Sequence, residues 1–517
     1  MLVTIPSFAQ ESNQVPAKPA AATAATLQEL DAFIEQTRQE WQVPGLAVAI
    51  VKDDQVLLSK GYGVRESGGE AIVDADTLFA IASNSKAFTA AALAILVDEG
   101  KLAWDDPVSE YLPWLKLQDP LATAELKVRD LLCHRSGLGT FSGDLVWWGT
   151  EYSPRELLQR ARHLQPASSF RSEYGYSNLM FVAAGLVVEE VSGHAWQDFV
   201  RQRILLPLEM DRTVTSVRDL VSVGNYASPH KTYLDHSQPI PWMNWDTMAA
   251  AGGIISSANE MANWLRLQLN RGSWHDATKL FSPQQSKEMW SAHMPIPVSD
   301  GYSARYPSTH FRAYGLGWSL SDYQGRKIVG HGGGYDGMYS QVLMVPEEGL
   351  GIVILTNSMT GISPVIAYHA METILLGEAT KDWSTSAREQ FVESRQAFQK
   401  RIEDAIAPAA EGTQPSHPWE AYAGTFRSDL YGDVRIDNTD GKLVLTMVPH
   451  HDAVADLEHL HYDTFVIRWR TDFAWFGAGT ANFVANARGE FEKLELDVPN
   501  DDLWFYELDL RRVSPSP

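Results

Sequence analysis

Leu78-Phe79-Ala80-Ile81-Ala82 runs through Ser83-Asn84-Ser85-Lys86 into residues 87–97, which are rich in Ala and Leu. A short apolar run followed at once by strong helix formers predicts a segment that breaks into a helix at Ser83. Lys86, three residues on, then shares the serine's helix face. The hydroxyl lies near the positive end of the helix dipole, with a lysine close enough to take its proton. A serine is inert until a neighbouring base activates it, so Ser83 and Lys86 are a candidate nucleophile and base. Ser-x-x-Lys alone also arises by chance and in helix caps.

Two later segments narrow the reading. Tyr174-Gly175-Tyr176-Ser177-Asn178 precedes a helical stretch over 179–191. A tyrosine hydroxyl can relay a proton, and an asparagine amide can orient both a lysine and a carbonyl. Further on, Ile328-Val329-Gly330-His331-Gly332-Gly333-Gly334 leads through Tyr335 into a second apolar run over 341–345. This pattern predicts antiparallel strands, with glycines where a backbone or ligand approaches closely. Such an edge can present a backbone N–H to a developing oxyanion.

Ser83-x-x-Lys86, Tyr176-x-Asn178 and His331-x-Gly333 resemble the three ordered motifs of the penicillin-recognising serine hydrolases. The branch they resemble holds class C β-lactamases, D-alanyl-D-alanine carboxypeptidases, D-aminopeptidases and β-lactamase-like esterases. The likeness spans roughly residues 26–377, with Leu131 to Leu138 and Gly252 to Ala258 as supporting stretches. It implies two-step acyl transfer, with Ser83 as nucleophile and Lys86 and Tyr176 as proton carriers. It also implies that Asn178 orients lysine and substrate, that His331 joins a network near Tyr176, and that Ser83 and Gly334 offer oxyanion N–H groups beside Gly333.

The departures select among substrates. His331 stands where β-lactamases of this type carry lysine, and Gly332 where a hydroxyl helps hold a substrate carboxylate. Imidazole and glycine make a poorer carboxylate clamp, so esters are expected over β-lactams. D-amino-acid peptides remain the alternative, and a penicillin-binding receptor or pseudoenzyme the non-enzymatic one. Lys231-Thr232 mimics the third motif, but Tyr233 fills the glycine position and no strand pattern surrounds it.

Helix 27–39, strands 45–51 and 56–61, and late strands 317–321, 326–330, 339–345 and 351–357 with helix 364–376 predict an α/β, β-lactamase-like sandwich. In it an antiparallel sheet is flanked by helices and a helical insertion, and Ser83 falls between sheet and insertion. Residues 378–418 read as a helical connector and linker. Alternating segments at 432–436, 442–447, 464–468, 481–485, 493–497 and 504–508 predict a small all-β, barrel-like domain over 419–517. Its expected role is packing support or a loop that reaches the cleft to select substrates. Trp147, Trp148 and Tyr335 are candidate pocket walls, with Tyr152, Trp242 and Trp245 also in loops able to rim it.

A formal charge of −23 speaks against nucleic-acid binding. The excess acid reads as solvated surface, with a preference for cationic substrates as the sharper alternative. Cys133 is the single cysteine, which excludes an internal disulfide, and the scattered histidines predict no metal site and no cofactor. Residues 1–10 resemble the tail of an export signal and 10–25 a disordered tether, which predicts a periplasmic or secreted protein without a membrane span. The expected partner is a small ester or peptide substrate; the oligomeric state is left open.

Overall fold

The computed structural model describes residues 24–275 and 278–513. The expected export-signal remnant and most of the tether lie outside the described residues; Ala24 and Ala25 already belong to the first helix, α1 (Ala24–Glu40).

Strand β1 (Gly45–Lys52) turns back into β2 (Gln55–Gly63) through Asp53 and Asp54, whose φ values are 50° and 65°. Two successive left-handed residues are what a two-residue hairpin turn requires. The remaining strands of the sheet come late in the chain: β3 (Met294–Ile296), β4 (Arg312–Tyr314), β5 (Ser319–Tyr323), β6 (Arg326–Tyr335), β7 (Met338–Val345) and β8 (Leu350–Thr356). They assemble in the order β2-β1-β8-β7-β6-β5-β4-β3, antiparallel throughout. The first and last long strands therefore lie side by side, one strand in from the sheet's edge, and β8 is buried along its whole length.

Side-chain alternation divides this sheet between two cores. Leu46, Val48 and Ile50 of β1 join Ile352 and Ile354 of β8 on the outer face, beneath α1 and α5 (Ile362–Leu376). Ala47, Ala49, Val353 and Leu355 face the inner core with α2 (Ser85–Asp98), α3 (Asn178–Ser192) and α4 (Ala258–Leu269). The inner side of β1 carries alanines, and α4 packs against that strand and β8. Helix α2 is buried from Ser85 to Leu96, as its run of Ala and Leu demands of a helix with no polar face.

The amphipathic α6 (Thr385–Ala405) follows, and then a closed eight-stranded barrel. Two barrel strands, Gly424–Ser428 and Val454–His461, join those expected. Residues 504–508, expected as a strand, instead hold a turn of 3₁₀ helix (Phe505–Leu508), and Leu510–Arg512 closes the barrel. Lys231-Thr232 also departs from expectation, lying in a short strand, His230–Thr232, with Lys231 paired to Asp472 of the barrel.

No single described helix is long and apolar enough to cross a membrane. Cys133 is buried and free, and burial pushes its thiol up to about 12, as befits a packing residue.

Candidate active site

The four residues of the Ser83 motif divide their work. Asn84 Nδ2 donates to Ser340 Oγ at 2.8 Å, and Ser85 Oγ accepts from the Ile254 amide at 3.0 Å. These bonds pin the turn to β7 and to the Gly253-Ile254 segment. Ala82, just before the serine, holds a left-handed φ of 47°, a strained conformation that surrounding contacts must enforce. Ser83 is the one member of the four that is not buried.

Lys86 Nζ lies 3.0 Å from Ser83 Oγ, 2.7 Å from Asn178 Oδ1 and 2.9 Å from the Ala251 carbonyl. The last two partners can only accept, so they take two N–H bonds. A neutral amine then aims its lone pair at the serine hydroxyl. Burial lowers the Lys86 pKa to about 7, against a smaller upward pull from Asp144. Tyr176 Oη donates to Ser83 Oγ at 2.8 Å, and burial holds that phenol well above its ordinary pKa. The two proton carriers thus differ in kind: Lys86 is the group able to accept near neutrality, while Tyr176 stays a neutral donor.

Asp144 completes this chain of contacts, and the sequence reading did not single it out. Asn178 Nδ2 donates to its Oδ2 at 2.6 Å and Trp147 Nε1 to its Oδ1 at 2.9 Å. Burial pushes the Asp144 pKa up to about 8, while these bonds and Lys86 pull it down. With both oxygens accepting, the carboxylate form fits the geometry better than a carboxyl that must donate. The only sequence signal was a lone acid ahead of the apolar Leu145-Val146-Trp147-Trp148.

The third motif lies on β6. Its pairing with β5 ends at Gly330, so His331 to Gly334 carry a strand partner only on the β7 side. The other edge faces the nucleophile's turn. A Cβ on Gly333 would sit 2.3 Å from the Ile81 carbonyl and 2.4 Å from Ser340 Oγ. Gly333 therefore packs against Ile81, Ala82 and Ser340 and does not line the cavity, whereas Gly334 does. Gly332 differs, since a Cβ there meets only Gln341 Oε1 at 3.6 Å. Gly333→Ala is expected to destabilise the fold by about 1–3 kcal/mol, as overpacking does, with activity lost in parallel, while Gly332→Ala stays near wild type in both. Thermal unfolding and one rate assay on each variant check this contrast.

His331 bonds Tyr314 Oη through Nε2 at 2.7 Å, and its ring centroid stands 6.2 Å from that of Tyr176. Its hydrogen bond thus goes to Tyr314, while its ring neighbours that of Tyr176 by packing. Burial lowers its pKa to about 3, so the imidazole is neutral. His134, unassigned in the sequence, packs with its ring centroid 4.1 Å from that of Tyr176, tilted by 31°, and accepts from the Ser177 amide through Nδ1 at 3.0 Å.

The cavity over Ser83 measures about 240 Å³. Trp147 and Trp148 line it, together with Trp245, Phe141 and, from the barrel, Trp475, Asp502 and Leu503. Tyr335 does not; its hydroxyl donates to the Met243 carbonyl behind the wall. Tyr152 turns away to the Tyr431 carbonyl of the barrel, and Trp242 packs on Tyr335. Asp336, in the Asp-Gly turn between β6 and β7, gathers the indoles of Trp148 at 3.1 Å and Trp245 at 3.0 Å, and also that of Trp475. One buried carboxylate thus fixes the aromatic wall across both domains. Among the described residues no group of His, Cys, Asp or Glu could hold a metal ion.

The Beta-lactamase family model matches residues 30–372. The chain belongs to the beta-lactamase family. A domain of unknown function, DUF3471, matches residues 408–512 and so takes in the barrel. An unguisins hydrolase of Aspergillus campestris is 30% identical over 79% of this chain and 77% of its own length. Protein flp of Staphylococcus aureus is 28% identical over 66% and 65%. Among solved structures, an octameric penicillin-binding protein homologue from Pyrococcus abyssi shares the fold, with a TM-score of 0.60 and 22% identity over 91% of this chain and 98% of that one. A D-stereospecific amidohydrolase from Streptomyces does so with a TM-score of 0.54 and 24% identity, over 70% and 100%. Within this family the protein is a β-lactamase-like serine hydrolase.

Proposed function

We propose that the enzyme cleaves small esters and amides through an acyl-enzyme on Ser83, with esters the faster substrates. The observation that carries this reading is the convergence of Lys86 Nζ and Tyr176 Oη on one serine oxygen, at 3.0 and 2.8 Å. Lys86, as the free amine, takes the hydroxyl proton while Oγ bonds to the substrate carbonyl carbon. The carbonyl π pair moves to oxygen, and the backbone N–H groups of Ser83 and Gly334 are the donors assigned to that oxyanion. Tyr176 then gives its proton to the leaving group as the C–O or C–N bond breaks, and Lys86 restores it. Water repeats the sequence on the acyl-enzyme, losing a proton to the Lys86–Tyr176 pair and returning Ser83 to its hydroxyl form.

Amides fit because Tyr176 remains a neutral acid, and an amine leaving group needs a proton more than an alkoxide does. The relative named for unguisins hydrolysis supports hydrolytic turnover over a receptor role. Carboxylate-bearing β-lactams fit less well. Among the described residues no Lys or Arg lines the cavity, His331 is neutral, and Gly332 offers no hydroxyl. A short-chain p-nitrophenyl ester is therefore expected to exceed a chromogenic cephalosporin in kcat/KM by a wide margin. A cephalosporin turned over more efficiently than that ester would reverse the preference.

A further inference from the structure

The barrel contributes one charged side chain to the catalytic cavity, Asp502. Its loop is built without help from that side chain. Asn500 donates to the Val498 and Leu503 carbonyls at 2.7 and 2.8 Å and accepts from the Asp502 and Leu503 amides. Trp504 Nε1 donates to the Thr140 carbonyl at 2.8 Å. Glu507 accepts from Ser142 Oγ at 2.6 Å and from the Gly143 amide at 2.8 Å, next to Asp144. The loop is thereby fastened to the segment that carries the catalytic contacts.

The Asp502 carboxylate accepts no hydrogen bond from any described residue. It is half-buried beside the indoles of Trp147, Trp148, Trp245 and Trp475. Its charge is felt by Tyr176 and Asp144, which places it within reach of the reacting centre. A carboxylate so placed is poorly solvated and unpaired, an arrangement that costs stability unless a ligand supplies the opposite charge. Burial and neighbouring Asp501 raise its pKa to about 6, which leaves it mostly ionised at neutral pH. Aromatic faces attract cations by their quadrupoles, so the rest of the wall selects the same ligand class.

Resting on the Ser83 acyl-enzyme reading, we propose that Asp502 binds a substrate ammonium group, so that the preferred acyl donors are esters and amides of amino acids with a free amine. The barrel then acts as a specificity element, since it delivers the charge that recognises the substrate.

The test compares alanine p-nitroanilide, as both enantiomers, with propionic p-nitroanilide, which has the same acyl skeleton without the amine. Wild-type enzyme is expected to show at least ~10-fold higher kcat/KM for one alanine enantiomer than for the propionyl compound, the scale of one hydrogen bond to a charged group. Asp502→Asn keeps the shape and removes the charge, and is expected to collapse that ratio by a similar factor, largely through KM; Asp502→Glu should keep part of it. A wild-type ratio near one, no cleavage of any of the three anilides, or a ratio that Asp502→Asn leaves unchanged, overturns the proposal. Turnover of p-nitrophenyl acetate, which carries no amine, separates the two readings. If it persists while amine selectivity is absent, only the Asp502 assignment falls. If no substrate acylates Ser83, the hydrolase reading falls as well.

Discussion

Ser83→Ala is expected to lower kcat by a factor on the order of 10⁶ on the best substrate, the scale on which a serine hydrolase depends on its nucleophile. The fold should survive. Among the described residues the Ser83 side chain bonds only Lys86 and Tyr176, and the turn is pinned by Asn84 and Ser85 instead. Removal of one partly exposed hydroxyl also opens no sizeable cavity. Circular dichroism and thermal unfolding close to wild type, with turnover at the background rate, are the paired results to look for. A folded variant with near-normal activity would place the nucleophile elsewhere.

Tyr176→Phe should reduce kcat by about 10²–10⁴-fold with a modest change in KM, since the ring stays and only the proton donor goes. His331→Ala should do less harm, because His331 bonds Tyr314 and touches neither Ser83 nor Lys86 by hydrogen bond. The pH profile assigns the base. Lys86 must be the free amine to act, and burial lowers its pKa to about 7. Protonation below that value removes the base, so kcat/KM should rise as pH passes through about 7 and level off above it. His134 and His331 are held neutral by burial and add no limb of their own near neutrality. A rate that falls across the same range, or a Tyr176→Phe variant near wild type, would take the assigned roles apart.

Much of the site could be read from the chain because its chemistry is local. The three-residue spacing of Ser83 and Lys86 on one helix turn sets their contact before any tertiary structure is known. Tyr176 and Asn178 straddle the start of α3, and their neighbours in sequence mark that boundary. Asp144 was not legible, because its value comes from Asn178 and Trp147 converging on it in a buried setting. Asp502 and Trp475 belong to another domain, more than three hundred residues beyond the serine, and only assembly of the two domains brings them to the cavity.

The strand errors have physical causes as well. The strand expected over 326–330 runs on, and its pairing with β7 continues to Tyr335 opposite Met338. Close approach of the Ser83 turn, not a break, accounts for the buried Gly333. Residues 504–508 carry β-forming aromatics, but Asn500 folds the preceding loop and Trp504 is drawn to Thr140, which leaves a short 3₁₀ turn.

The most direct measurement is a rapid quench of the full-length enzyme with p-nitrophenyl acetate, followed by peptide mass mapping. Acyl transfer through Ser83 predicts a burst of p-nitrophenol near one equivalent and a single acetyl group on the Ser83 peptide, both absent from Ser83→Ala. Turnover with no burst and no adduct, or an acetyl group carried on another residue, would contradict the account.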